Sequence, residues 1–272
     1  VASRGLGDVY KRQLLSTVAV PVAAANGQEP GRDAAQAMGQ GEVVLLLTEK
    51  SLSWTRARVD ATDGGARVAS MTSISEEILL RTLTVDYEPV REEANRLCDR
   101  LDAGSSVRIL SARGTDLQLS IAGRIAHGRK GGIFREPGHW GNLPCGEAFI
   151  APVEGTANGA YVVDGSHAGL GRVSEPVRIT VQDGMATRFE GGSDASRLQA
   201  ILESTGNPQA FNIAEFGIGC NHAARVTGTI LEDEKARDTC HIALGNNFHF
   251  GGTVDVPIHL DGIILNPDIA IR

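Results

Sequence analysis

The chain has 272 residues, 42% of them hydrophobic and only 4% aromatic, with 33 acidic residues against 26 basic ones and a net charge of −7. It is long enough for one large domain or two smaller ones. The acidic balance, the lack of a basic cluster denser than Arg124, Arg129 and Lys130, and the lack of an apolar run near roughly 18 residues argue against nucleic-acid and membrane partners.

Cys98, Cys145, Cys220 and Cys240 are widely spaced with no CxxC, so they read as free thiols of a reducing, cytoplasmic compartment. The opening "GLGDVYKRQ" resembles a peptide translated from sequencing adapters, and residues 13 to 42 show no clear period. Residues 1–40 are therefore expected to be poorly ordered or non-native. The stretch "LLSTVAVPVAAANGQ" mimics a signal peptide, but its apolar part is short and broken by Pro21.

From Gly41 the pattern firms up. "EVVLLLTE" predicts a buried parallel strand, "SLSWTRARVDA" a helix, and "GARVASM" a second strand. "SISEEILLRTLTV" predicts a helix capped by Ser73 or Ser75, and "PVREEANRLCDRLDAG" another closed by Gly104. "SVRILSA" and "TDLQLSIAG" follow as strands. This alternation predicts an α/β N-terminal part over residues 41–134 with an open, mostly parallel sheet. No GxGxxG follows the first strand, so a dinucleotide role has no support.

Beyond residue 135 strands dominate. "GAYVVDG", "VRITVQDG", "MATRFEGG", "AFNIAEFGIG", "TCHIALG" and "VDVPIHLDGIIL" are separated by Gly, Asp and Asn turns, with Asp183-Gly184 as a hairpin signal. "SDASRLQAILES" predicts a helix. Residues 135–272 therefore read as a strand-rich α+β C-terminal metal-binding part, with "NPDIAIR" as a strand that stops short.

Within these strands several ionisable residues stand where the core should be apolar. Glu147 precedes "AFIAP", Glu215 lies between Ala214 and Phe216, and Glu232, Asp233 and Glu234 precede His241. His259 and Asp261 sit two apart, hence on one strand face. Each has an ordinary alternative: a solvated strand face for Glu147, an exposed helical run for Glu232 to Glu234, a core histidine for His241. Together they suggest convergence on divalent ions, which offset buried carboxylate charge. With three or more carboxylates joining both histidines, two metals fit; with His241, His259 and Asp261 alone, the set is a two-His, one-carboxylate triad suited to non-haem iron.

The blocks "LPCGEAFIAPVEGTANG", "AEFGIGCN", "LEDEKARDTCHIALG" and "PIHLDG", over roughly residues 135 to 262, resemble the aminopeptidase T family of metallopeptidases. That resemblance implies a hydrolase with two divalent ions (Zn, Co or Mn) held by Glu147, Glu215, Glu234, His241, His259 and Asp261. Glu147 or Glu215 would shuttle the proton to the leaving amine. It also implies a small peptide or small-molecule substrate and a possible homodimer. Two features depart from the family pattern: a longer interval between Glu234 and His241, and Phe248 where a tyrosine is expected. The same superfamily resembles iron-dependent dihydroxypyridine ring-opening dioxygenases, which keep the His…His-x-Asp part, so a single Fe(II) is the competing expectation. A non-catalytic metal-binding relative is the third. His127, His167 and His222 read as exposed turn residues, His139 with Arg135 as a possible cleft lining, and His249 as a substitute proton donor.

Overall fold

The computed structural model describes residues 16–272; residues 1–15, which include the "GLGDVYKRQ" segment, lie outside the described residues. Residues 16–31 carry no helix or strand, but helix α1 (Arg32–Gln40) then buries Ala34 and Met38. This helix lies within the residues 1–40 expected to be poorly ordered or non-native. Strand β1 (Val43–Leu46), helix α2 (Arg56–Asp63) and strand β2 (Arg67–Ser70) follow. The cap of α2 is Thr55, whose hydroxyl accepts from the Arg58 N–H. Helices α3 (Glu76–Thr82) and α4 (Tyr87–Ala103) begin at Ser75 and Asp86, each side chain accepting a first-turn N–H. Gly104 ends α4, as expected, in an extended conformation with φ −87°.

The remaining elements are β3 (Ser106–Leu110), β4 (Asp116–Ser120), β5 (Trp140–Asn142), β6 (Glu147–Ile150), β7 (Asn158–Val163), β8 (Ser166–His167), β9 (Gly171–Arg172), β10 (Val177–Gln182), β11 (Met185–Glu190), α5 (Gly192–Glu203), β12 (Ile213–Gly219), α6 (Ile230–Asp233), β13 (Thr239–Gly245), β14 (His259–Leu265) and β15 (Asp268–Ile271). Asp183 and Gly184 join β10 to β11 with φ of 49° and 78°, both left-handed, as a type I′ hairpin turn demands.

These strands form three sheets. A small parallel sheet has the order β1-β2-β5. Two six-stranded antiparallel sheets run β11-β10-β7-β4-β3-β15 and β6-β12-β13-β14-β8-β9. The fold is thus mixed α/β with several sheets, and the expected division at 134/135 is not a sheet boundary. Strands β3 and β4, expected in the parallel part, pair with β15 and β7, while β5 crosses the other way to join β2. The physical reason lies in the core. Val107, Ile109, Leu117 and Leu119 alternate inward and pack in one cluster with Leu101, Val163, Ile179, Phe216, Ile242 and Ile264. A second, smaller cluster of Met38, Leu46, Leu52, Ala61 and Val68 sits under the parallel sheet.

Strand β1 departs from its expected burial. It is an edge strand that buries Leu46 and exposes Val43 and Leu45, so its apolar run does not mark a two-sided core position. No helix among the described residues is long and apolar enough to cross a membrane.

Candidate metal centre

Register builds the centre. Residues directly opposite on antiparallel strands point to the same side of the sheet, as do residues two apart on one strand. Glu147 on β6 faces Gly219 on β12; Gly217 faces His241 on β13; Glu215 faces Ala243, which faces Asp261 on β14; and Gly245 faces His259. Five of the six expected ligands therefore share one face across four adjacent strands. Between them the face carries Gly217, Gly219, Ala243 and Gly245, so little competes for the space. Gly217 is the tightest case: a Cβ there would stand 2.9 Å from Cδ2 of His241, and closer still to Cε1 and Nε2.

Glu215 lies at the middle. Its Oε1 is 3.2 Å from His241 Nε2 and its Oε2 is 3.3 Å from His259 Nε2. Glu147 Oε2 is 3.6 Å from His241 Nε2, and Asp261 Oδ1 is 3.5 Å from His259 Nε2. Two groups of donor atoms could each hold a metal ion: Glu147 with Glu215 and His241, and Glu215 with His259 and Asp261. In each group the atoms lie within 4.8 Å of one another. Glu147 Oε2 and Asp261 Oδ1 are buried with no hydrogen-bond partner, a costly state for carboxylate oxygens. His259 Nδ1 lies 2.7 Å from the Asn246 carbonyl, which fixes the proton on Nδ1 and leaves Nε2 facing the centre.

The electrostatics follow. Burial alone lowers both histidines, but the carboxylates win: Glu215 and Glu147 push His241 up to about 9, and Asp261 and Glu215 hold His259 well above the usual imidazole range. Burial raises the carboxylates, yet His259 and His241 keep Asp261 well below the usual range and Glu215 below its ordinary value. Without a metal, the site retains protons that an ion would displace.

Glu234 is not in either donor group. It closes helix α6 and turns onto Lys235, whose ammonium also contacts Glu147 Oε1 at 2.7 Å. Burial and the neighbouring Glu147 charge push Glu234 up to about 8, while Lys235, caught between two carboxylates, is held protonated. Glu234 is thus a partner of an internal cation, a correction to its expected place among the ligands. Lys235 is fully buried and was missed in the sequence. Its signal was the "EDEK" charge run, which read as an exposed helical surface. That run is in fact buried: Arg81 clasps Glu232 with two nitrogens, and Asp233 accepts from Ser166 Oγ, Thr227 N and Gly228 N.

The other histidines scatter. His222 is exposed as expected, but His127 is half-buried against Phe149, and His167 is fully buried with Nε2 unpartnered. His139 lies beside the parallel sheet, where its carbonyl accepts from Val68 N, and Arg135 pairs with Glu88. Phe248, at the tyrosine position, is exposed, and His249 stacks on Trp54 at 4.6 Å. The four cysteines are free.

Comparison with known proteins adds the family. The family model described as 2,5-dihydroxypyridine 5,6-dioxygenase (NicX) matches residues 12–269. The chain is 27% identical over 205 residues to the 2,5-dihydroxypyridine 5,6-dioxygenase of Pseudomonas putida KT2440, which covers 71% of this chain and 58% of that protein. It therefore spans less than two thirds of that relative's length. Among solved structures, the 2,5-dihydroxypyridine dioxygenase of P. putida KT2440 superposes with a TM-score of 0.71 at 23% identity, covering 88% of this chain and 71% of the other. Wild-type AmpT from Thermus thermophilus gives 0.63 at 16% identity, covering 88% and 74%. At these identities the two structures establish a common fold. The family match overturns the expected aminopeptidase, and with it the reading as a hydrolase or protease. The match supports instead the competing expectation, the dihydroxypyridine ring-opening dioxygenases.

Proposed function

The chain belongs to the 2,5-dihydroxypyridine 5,6-dioxygenase family, and from that membership we propose that it is an Fe(II)-dependent dioxygenase opening a dihydroxypyridine ring between carbons 5 and 6. The observation that carries the reading is that two donor groups, one with His241 and one with His259 and Asp261, share Glu215 on one sheet face inside the matched span. Two imidazoles and one carboxylate suit non-haem iron with positions left open for other ligands. The donors fit a divalent ion: Asp261 Oδ1 and Glu147 Oε2 lack partners, and His259 already presents Nε2 inward. A ferrous ion held there supplies the redox chemistry that makes O2 reactive toward an aromatic ring.

The chain's own residues do the rest. Glu215 reaches both imidazoles and keeps them turned toward each other. Glu147, its Oε1 held by Lys235, offers Oε2 as acceptor for the proton of a ring hydroxyl. Lys235 supplies one internal positive charge to the carboxylate cluster, which favours a single iron per chain over the pair of Zn, Co or Mn ions expected from the motifs.

Anaerobic loading with Fe(II), then 2,5-dihydroxypyridine and a measured pulse of O2, tests the reading. One O2 consumed per ring lost is expected, abolished by a chelator and restored by Fe(II). Iron-loaded protein that leaves the ring intact, or opens it without oxygen uptake, overturns it.

A further inference from the structure

We propose that Phe149 and Phe250 form the wall against which the substrate's aromatic ring lies, and that this wall sets the preference for a planar ring; the proposal rests on the dioxygenase reading above. Phe149 is two residues past Glu147 on β6 and so points to the ligand face. It pairs directly with Gly217, which pairs in turn with His241. Because Gly217 has no side chain, no side chain at that position separates Phe149 from the His241 imidazole. Phe250, in the loop between β13 and β14, meets Phe149 edge-to-face at 5.7 Å and meets His259 in the same way at 5.7 Å. The two phenyl rings therefore reach from the His241 side of the centre to the His259 side.

Core packing does not account for them. The chain has seven phenylalanines, and neither Phe149 nor Phe250 joins either apolar core cluster. Both are half-buried beside a strongly ionic centre. The opening is on their side: the His259 side chain is 31% exposed, whereas that of His241 is 0% exposed. A ligand reaching the centre past His259 passes Phe250.

The wall is also braced before any ligand arrives. Glu154 Oε1 accepts from Asn247 Nδ2 at 2.9 Å and from Thr253 N at 2.8 Å, on either side of Phe250. Arg124 pairs with Glu154 and donates to the Gly251 carbonyl. On the side away from Gly217, His127, which pairs with Phe149 in an antiparallel bridge, stacks on its ring at 5.3 Å. Such bracing lowers the ordering cost of binding. Aromatic rings prefer offset-stacked or edge-to-face neighbours, so a planar hydroxylated heteroaromatic gains contact here that a saturated ring of the same size does not.

The test is anaerobic calorimetry of 2,5-dihydroxypyridine binding to Fe(II)-loaded and Zn(II)-substituted protein, with metal content measured on every sample. Phe149→Leu and Phe250→Leu are each expected to weaken binding about tenfold. In turnover KM should rise while kcat changes far less, metal content should stay at the wild-type level, and Phe250→Tyr should restore the affinity. Unchanged Kd in both leucine variants at full metal content overturns the proposal. Should Phe250→Leu fail to fold by circular dichroism, Phe149→Leu decides. Wild-type protein that binds the pyridine tightly yet consumes no oxygen sinks the dioxygenase reading alone. Wild-type protein that does not bind it sinks both.

Discussion

The His241 imidazole occupies the space that any side chain at Gly217 would need, since a Cβ there would crowd Cδ2, Cε1 and Nε2 of the ring. The two residues are directly paired on β12 and β13, so neither strand can shift to relieve the overlap without breaking register. Gly217→Ala must therefore displace the imidazole. The expected outcome is roughly 10- to 100-fold weaker metal binding, the scale seen when support of a ligand is lost, with about 1–3 kcal/mol of overpacking strain. Metal titration and urea denaturation check it; wild-type affinity in the alanine variant would show that the ring is free to move.

Lys235 carries a second expectation. Its ammonium is buried between Glu147 and Glu234. Lys235→Met leaves two carboxylates without their cation, and losing one partner of a buried ion pair costs about 3–5 kcal/mol. The double variant Glu234→Gln, Lys235→Met should lose less than Lys235→Met alone, because groups in contact couple. Denaturation in the presence of chelator reads both; additive losses would place the lysine outside the network.

Glu215 and Glu234 should behave oppositely as single variants. Glu215 lies in both donor groups, whereas Glu234 lies in neither and is held on Lys235. Glu215→Gln is expected to lower metal occupancy strongly, and Glu234→Gln to leave it near wild type. Elemental analysis of the purified variants decides, and depletion of metal by Glu234→Gln would return that residue to the ligand set.

The metal-free centre has a pH signature. Burial lowers the His241 pKa, but Glu215 and Glu147 prevail and push it up to about 9. A histidine raised above its unfolded value of about 6.5 stabilises the fold fully below that pH and loses the contribution as pH climbs through the folded value. His259, raised by Asp261 and Glu215, adds in the same direction. Chelated protein should therefore melt at progressively lower temperature from pH 6.5 to beyond 9. Metal-loaded protein should not share that slope, because its coordinated imidazoles are already neutral. Equal slopes in the two forms would contradict the proton-filled site.

Much of this molecule is legible from consecutive residues. The i, i+2 spacing puts His259 and Asp261 on one face, Ser75 caps the helix it precedes, and Asp183-Gly184 makes its hairpin, because each depends on backbone geometry within a few residues. Glu147, Glu215 and His241 stood out for a related reason: a polar group in an apolar strand is visible wherever the strand ends up. That they converge is expected from the sequence; the geometry of their meeting is not visible there. It depends on which strands are neighbours and in what register, and Lys235 reaches Glu147 across 88 positions of chain. The same dependence hid the buried "EDEK" turn, which looks like solvated surface until Arg81 and Ser166 arrive from elsewhere. It also hid the exchange of β5 for β3 and β4 between sheets. Local pattern determined the elements and their polar residues. Long-range packing alone decided that Glu234 turns to a lysine, that Gly217 makes room for His241, and that two phenylalanines border the centre, because those contacts join residues that no short window contains.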